Sequence, residues 1–224
     1  EEKIYVANLA KANKELQELY DLEGSDKMQI LKLLTRLRQL CLEPRLVYDN
    51  IDQPSSKLKA CMELIKTMQE NKQKVLLFSS FTSVLDLIAE ECQKAGITYY
   101  MLTGSTNKED RRELVSRFQK DDTTLFLISL KAGGTGLNLT SAEAVIHFDP
   151  WWNVSAQNQA TDRAYRIGQK NNVQVFNLVM KDSVEEKIIE LQKRKKELAD
   201  MFVENNSGGL SQMSKEDILS LFTM

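Results

Sequence analysis

Val75-Leu76-Leu77-Phe78-Ser79-Ser80 decides the fold. Four apolar residues running straight into two serines read as a short strand buried on both faces and ending in a polar turn. Such a strand needs helices above and below it, and the chain supplies them. Val84 to Lys94 reads as a helix stopped by Gly96, Ile97 to Leu102 as a second strand, Lys108 to Phe118 as a helix and Thr124 to Ile128 as a third strand. Ala144 to Phe148 follows as a fourth strand, Ala156 to Ile167 as a helix, Val173 to Val179 as a fifth strand and Ser183 to Val203 as a long helix. Strands alternating with helices predict an α/β fold, a parallel sheet with helices on both faces.

Upstream of that stretch the pattern is helical. Glu2 to Tyr20 is charged and helix-prone, and Gly24-Ser25-Asp26 breaks it and offers an N-cap. Between Met28 and Cys41, the residues Ile30, Leu34, Leu37 and Cys41 recur at helical spacing. Glu43-Pro44 ends that helix, because a residue before proline disfavours helical geometry. Ser56 is placed to cap a helix carrying Leu58, Met62, Ile65 and Met68. At the other end, Asn205-Asn206-Ser207-Gly208-Gly209 reads as a linker before a short helix near Lys215 to Phe222. There is no internal repeat.

Composition narrows the function. The chain has 224 residues, 42% of them apolar, which is enough for a real core. Thirty basic against 32 acidic residues leave a net charge of −2, so global basicity is no argument for nucleic acid, although a local surface remains open. No run approaches the roughly 20 apolar residues of a membrane span, and no secretory leader is visible. Cys41, Cys61 and Cys92 lie far apart with no CxxC pair, which speaks against a disulfide framework or a zinc site and for a reducing compartment. His147 is the single histidine, so no multi-histidine metal site is available. A chain opening on Glu1 rather than Met reads as a piece of a longer protein.

In open parallel sheets, ligands bind beyond the carboxyl ends of the strands. The loops there are Ser79-Ser80-Phe81, Thr103 to Thr106, Ser129 to Gly136 and Asp149 to Asn153. Loops are commonly polar, yet four polar or glycine-rich ones on one edge favour a site. The glycine run is not a P-loop, since none of the nine glycines precedes a lysine, and no Asp-Glu dipeptide occurs. The parts that bind and cleave a triphosphate unaided are therefore missing. Gly133, Gly134 and Gly136 can bring backbone close to a phosphate, or simply make a tight turn.

Gln159-Ala-Thr-Asp-Arg163-Ala-Tyr-Arg166-Ile-Gly-Gln169 is the sharpest feature. On a helix, Gln159, Arg163 and Arg166 fall at i, i+4 and i+7, on one face. Two guanidiniums projected together suit a phosphate, being planar, always charged and bidentate. The competing reading is a solvated face on which Asp162 pairs with Arg166.

Taken in order, these stretches resemble the second-lobe motifs of the Swi/Snf family of helicase-like ATPases, which belong to superfamily two. They are Val75 to Ser80, Leu102 to Thr106 with Arg111 and Phe118, Ser129 to Thr140, Asp149 to Asn153 and Gln159 to Gln169. The Asp-Pro-Trp-Trp-Asn loop leans toward a bacterial member, and Val154 stands where the family usually has proline.

The resemblance implies a RecA-like lobe at 56–182, a helical lead-in from a first lobe at 1–55, a brace helix at 183–204, and a linker with a short helix at 205–224. It implies a DNA-dependent ATPase in the two-lobed parent, with ATP and Mg2+ held mainly by the first lobe and the isolated chain inactive. Arg163 and Arg166 are then arginine fingers. Gln159, Gly136 and Asn138 lie toward the nucleotide. Ser80, Thr103, Gly104, Ser129, Lys131 and Trp152 meet DNA. No bound metal of its own is implied. The partners implied are double-stranded DNA, the first RecA-like lobe and a DNA-bound protein, with no membrane. The location implied is the bacterial cytoplasm at the nucleoid, or the nucleus of a eukaryote.

Competing uses stay open on the residues alone: Trp151 and Trp152 packing beneath their loop, His147 as a core histidine, and Lys193 to Lys196 as a solvated helix face. The rival to the motor-lobe reading is a degenerate RecA-like lobe serving as a DNA- or protein-binding module. A nucleotide-dependent transferase is disfavoured, because Ser79-Ser80-Phe81 stands where GxGxxG belongs.

Overall fold

The structure, a computed structural model, describes residues 1–21, 27–133, 137, 139–162, 173–201 and 215–222. The chain divides into two units, one of residues Leu58–Leu178 and one of Glu1–Lys57 with Val179–Met224.

The central unit is the expected sheet. Strands β1 (Val75–Ser79), β2 (Tyr99–Leu102), β3 (Leu125–Ser129), β4 (Ala144–His147) and β5 (Gln174–Asn177) lie in the order β2-β3-β1-β4-β5. Every pairing is parallel. The apolar runs form β1, β3 and β4, the three inner strands, each buried along its whole length. β5 is shorter than its apolar run and mostly exposed, because as an edge strand it is flanked on one side only.

The connecting helices are α4 (Thr82–Ala95), α5 (Lys108–Lys120), α6 (Leu130–Gly133) and α7 (Val154–Thr161). α4 buries Val84, Leu85, Ile88, Ala89 and Cys92, a stripe with the period of one helix face. Its stop is Gly96 at φ 68°, whose N–H donates to the carbonyls of Cys92 and Gln93; that left-handed turn is why glycine stands there. α5 starts at Asn107, whose side chain accepts the N–H groups of Glu109 and Asp110. Thr106 and Ser105 close the turn before it. α6 was not foreseen: Leu130 to Gly133 coil once where a continuous glycine-rich loop was expected. One core layer joins Leu76, Phe78, Phe118, Phe126, Ile128, Val145 and Trp151.

The other unit is helical. α1 (Glu2–Asp21), α2 (Lys27–Leu42), the first turn of α3 (Ser56–Glu70), α8 (Val184–Met201) and α9 (Lys215–Ser220) form it, with a short 3₁₀ turn at Pro44–Leu46. Glu43 is extended, at φ −165° and ψ 110°, as a residue before proline should be. Ser56 lies inside α3 rather than capping it, and its hydroxyl and N–H donate to the Glu1 carboxylate. The apolar faces of α1 (Leu9, Ala12, Leu16), α2 (Leu34, Leu37, Cys41) and α8 (Val184, Ile188, Leu191) are buried, as are Leu221 and Phe222.

A polar knot sits in this second core. Lys57 Nζ meets both carboxylate oxygens of Glu185, at 2.6 and 2.7 Å, with the side chains 4% and 0% exposed. Glu185 also accepts the N–H of Met180, and the Tyr5 hydroxyl accepts the N–H of Val184. Burial, seconded by the Glu185 charge, pushes the Cys41 thiol up to about 12, so it stays protonated. Among the described residues no helix is long and apolar enough to cross a membrane.

Candidate functional site

Parallel strands end together. The register pairs Leu102 with Ile128, Ile128 with Phe78, Phe78 with His147 and His147 with Asn177. The segments that begin at Thr103, Leu130, Ser80 and Phe148 therefore leave the sheet along one edge, where such folds bind ligands.

The segments after β2 and β3 touch. A Cβ built on Gly104 would lie 4.0 Å from Cβ of Lys131. Thr103 is half-buried and Gly104 exposed, and the Thr103 N–H donates to the Thr106 hydroxyl. Lys131 is exposed on α6. Arg111 fixes that helix from α5: its Nη2 donates to the Ala132 carbonyl at 2.7 Å, and burial lowers its pKa below the ordinary arginine value. Ser129 ends β3 at 3% exposure, and its hydroxyl has no hydrogen-bond partner.

The segments after β1 and β4 also meet. The Asp149 carboxylate, 1% exposed, accepts the Ser79 hydroxyl at 2.7 Å and the Ser80 N–H at 3.0 Å through the same Oδ1. Ser79 Oγ in turn accepts the N–H of Phe81. Trp151 is 2% exposed and stands edge-on to Phe78 and His147, with ring centroids at 6.1 and 5.5 Å. Trp152 is half-buried beside it. The Trp151 N–H donates to the Gln157 side chain, which donates onward to Asn177 and so ties the β4 loop to β5.

Gln159 is exposed on α7, while Ala160 beside it is buried. Arg163, Arg166, Gly136 and Asn138 lie outside the described residues, as does the expected break at Gly24-Ser25-Asp26. Of the expected site residues, Ser80, Thr103, Gly104, Ser129, Lys131 and Trp152 thus share one edge of the sheet.

Asp149, Ser79 and the Arg111–Ala132 link were not singled out from sequence. An acidic residue directly after a buried strand, facing a serine pair after the neighbouring strand, was the available signal.

His147 is 1% exposed, stacked on Phe78 at 5.7 Å, with Nε2 at 2.9 Å from the Thr161 hydroxyl. Burial lowers its pKa to about 4, against a smaller upward pull from Asp149. Between about pH 4 and the ordinary histidine value near 6.5, the unfolded chain binds a proton that the folded one does not, so stability falls as pH drops through that window. The expected loss between pH 7.5 and pH 5 is about 2 kcal/mol. Urea unfolding of the chain at both values checks it, and His147→Gln removes most of the difference.

Residues 56–168 match the helicase conserved C-terminal domain. An uncharacterized ATP-dependent helicase of Mycoplasma pneumoniae is 37% identical over 208 residues, covering 92% of this chain and 20% of that protein. The chain spans about a fifth of the length of the curated relatives it matches. The C-terminal domain of the Sulfolobus solfataricus SWI2/SNF2 ATPase superposes with a TM-score of 0.76 at 26% identity, covering 98% of this chain and 91% of that one. The core of that ATPase in complex with double-stranded DNA superposes with a TM-score of 0.74 at 30% identity, covering 96% and 47%.

Proposed function

Since the chain belongs to the helicase conserved C-terminal domain family and has the fold of a SWI2/SNF2 C-terminal domain, we propose that it is the second motor lobe of an ATP-dependent double-stranded DNA translocase of the nucleoprotein-remodelling type. The observation that carries this reading is the convergence of four segments on one sheet edge, with Lys131 and Gly104 side by side upon it. A tracking motor grips what every base step shares, and that is phosphate. Lys131 offers the charge, the glycine leaves backbone approachable, and Ser80 and Thr103 offer hydroxyl groups, while the Ser129 hydroxyl is buried at the end of β3. Trp152 offers a flat apolar surface toward the groove.

The nucleotide lies between this lobe and a first lobe that carries the P-loop and the Asp-Glu motif. Arg163 and Arg166 reach the transferring phosphoryl group and stabilise the charge that develops on it. Gln159, Gly136 and Asn138 face the same junction. Lobe closure on ATP and reopening after hydrolysis then shift the DNA grip by steps. Among the described residues no three His, Cys, Asp or Glu side chains gather, and Asp149 is engaged by Ser79 and Ser80. By the resemblance, the ion that accompanies ATP is held mainly by the first lobe. The remaining partner is a DNA-bound protein whose displacement uses the stepping, in the nucleoid or the nucleus.

The test is ATP hydrolysis by the two-lobed parent with and without double-stranded DNA, with Lys131→Ala beside it. Duplex DNA raises the wild-type rate. Lys131→Ala needs severalfold more DNA at low salt and lowers the slope of log affinity against log salt by about one. Absence of any DNA stimulation overturns the motor reading. An unchanged salt slope removes Lys131 from the DNA surface.

A further inference from the structure

We infer that Asp149 is a positioning residue that latches the segment after β1 to the segment after β4, so that Ser80 and Trp152 meet DNA as one rigid piece. The inference rests on the DNA-facing role proposed above and names a group within it that touches neither DNA nor nucleotide.

The chemistry is unusual for a loop. A carboxylate at 1% exposure is costly to bury unless its lone pairs are occupied. Here a single oxygen takes both a hydroxyl at 2.7 Å and a backbone N–H at 3.0 Å. The relay continues, since Ser79 Oγ donates to Asp149 and accepts from Phe81, which directly precedes α4. The turn after β1 therefore takes its shape from a side chain 70 residues away.

The two strands are also joined at this height by their backbones, with Phe148 N–H donating to Phe78 carbonyl at 3.0 Å. That bond extends the β1–β4 ladder by one step. The carboxylate acts beyond it, on the turn at Ser80. From Asp149 the chain passes through Pro150 to buried Trp151 and half-buried Trp152. Asp149 thus stands at the root of both DNA-facing elements, and removing it frees one from the other while the strands beneath stay paired. A displacement of about 1 Å in a positioning group can cost on the order of a hundredfold in a reaction that depends on it.

The experiment uses the two-lobed parent with Asp149→Ala, Asp149→Asn and Ser79→Ala. Each variant is titrated with duplex DNA at saturating ATP, and the thermal transition is read alongside. Asp149→Ala raises the DNA concentration at half-maximal stimulation at least tenfold, with the maximal rate within threefold of wild type. Asp149→Asn keeps an acceptor oxygen and returns the half-maximal concentration to within threefold. Ser79→Ala removes the hydroxyl donor and falls between them, and it carries the test if Asp149→Ala does not fold. Folded variants with an unchanged DNA requirement overturn the latch. So does a fall in maximal rate with no change in DNA requirement, which marks a purely structural role. A wild-type parent that DNA does not stimulate overturns the motor reading itself, a separate result.

Discussion

In the two-lobed parent, Arg166→Ala lowers DNA-stimulated ATP turnover at least about a hundredfold, with ATP and DNA binding changed only a few fold. The expectation rests on charge. Phosphoryl transfer leaves little covalent work for protein groups, so the barrier is lowered mainly by positive charge held where negative charge develops. Arginine fingers are worth about 10³ to 10⁵ in related enzymes, and a hundredfold corresponds to about 2.7 kcal/mol of transition-state stabilisation. Arg166→Lys restores little, because a point charge does not reproduce a planar bidentate donor. Arg163→Ala is comparably slow, and the double variant is less slow than the product of the two, as for residues acting together. The measurement is steady-state hydrolysis at saturating ATP and duplex DNA, with the thermal transition as a fold check. Equal turnover by wild type and Arg166→Ala makes the arginine face structural, and the binding-module reading then replaces the motor.

The second large effect is on stability. Lys57→Ala or Glu185→Ala destabilises the helical unit by about 3–5 kcal/mol, the cost of leaving one buried charge without its partner. The geometry places the pair at the strong end, because both lysine contacts are short, both side chains are almost fully buried and Met180 adds a backbone donor. Replacing both at once, Lys57→Met with Glu185→Leu, recovers most of the loss, since an apolar pair of similar volume needs no charge balance. Hydrogen exchange of the α8 amides reports this unit directly. A single-variant loss below about 1 kcal/mol would mean that water or another side chain takes over the orphaned charge.

The fold was legible where burial dictates pattern. Val75 to Phe78, Leu125 to Ile128 and Ala144 to His147 read as strands because both of their faces are covered. Ends and corners were less legible. Val173 to Val179 reads as a strand, yet only Gln174–Asn177 form β5, and no local signal tells an apolar run that it will lie at a sheet edge. α6 hides in a glycine-rich segment and is held from outside by Arg111, a contact no short window can reveal. For the site, chain order together with the resemblance located the loops, and parallel register explains why they converge. The contact that Asp149 makes was not legible, because its partner is a serine far back in the chain. The joining of the first 57 residues with those after Leu178 was equally invisible, since a helix's own pattern does not say which distant helix covers its apolar face.

That joining has a consequence for biosynthesis. Lys57 and Glu185 are 128 residues apart, so at 5–20 residues per second a ribosome needs roughly 6 to 26 s to supply the partner. The whole of Leu58–Leu178 emerges in that interval. The sheet is complete in the nascent chain while α1 and α2 still expose the faces that α8 will cover, and Lys57 waits as a solvated cation. The helical unit, begun before the sheet, closes after it.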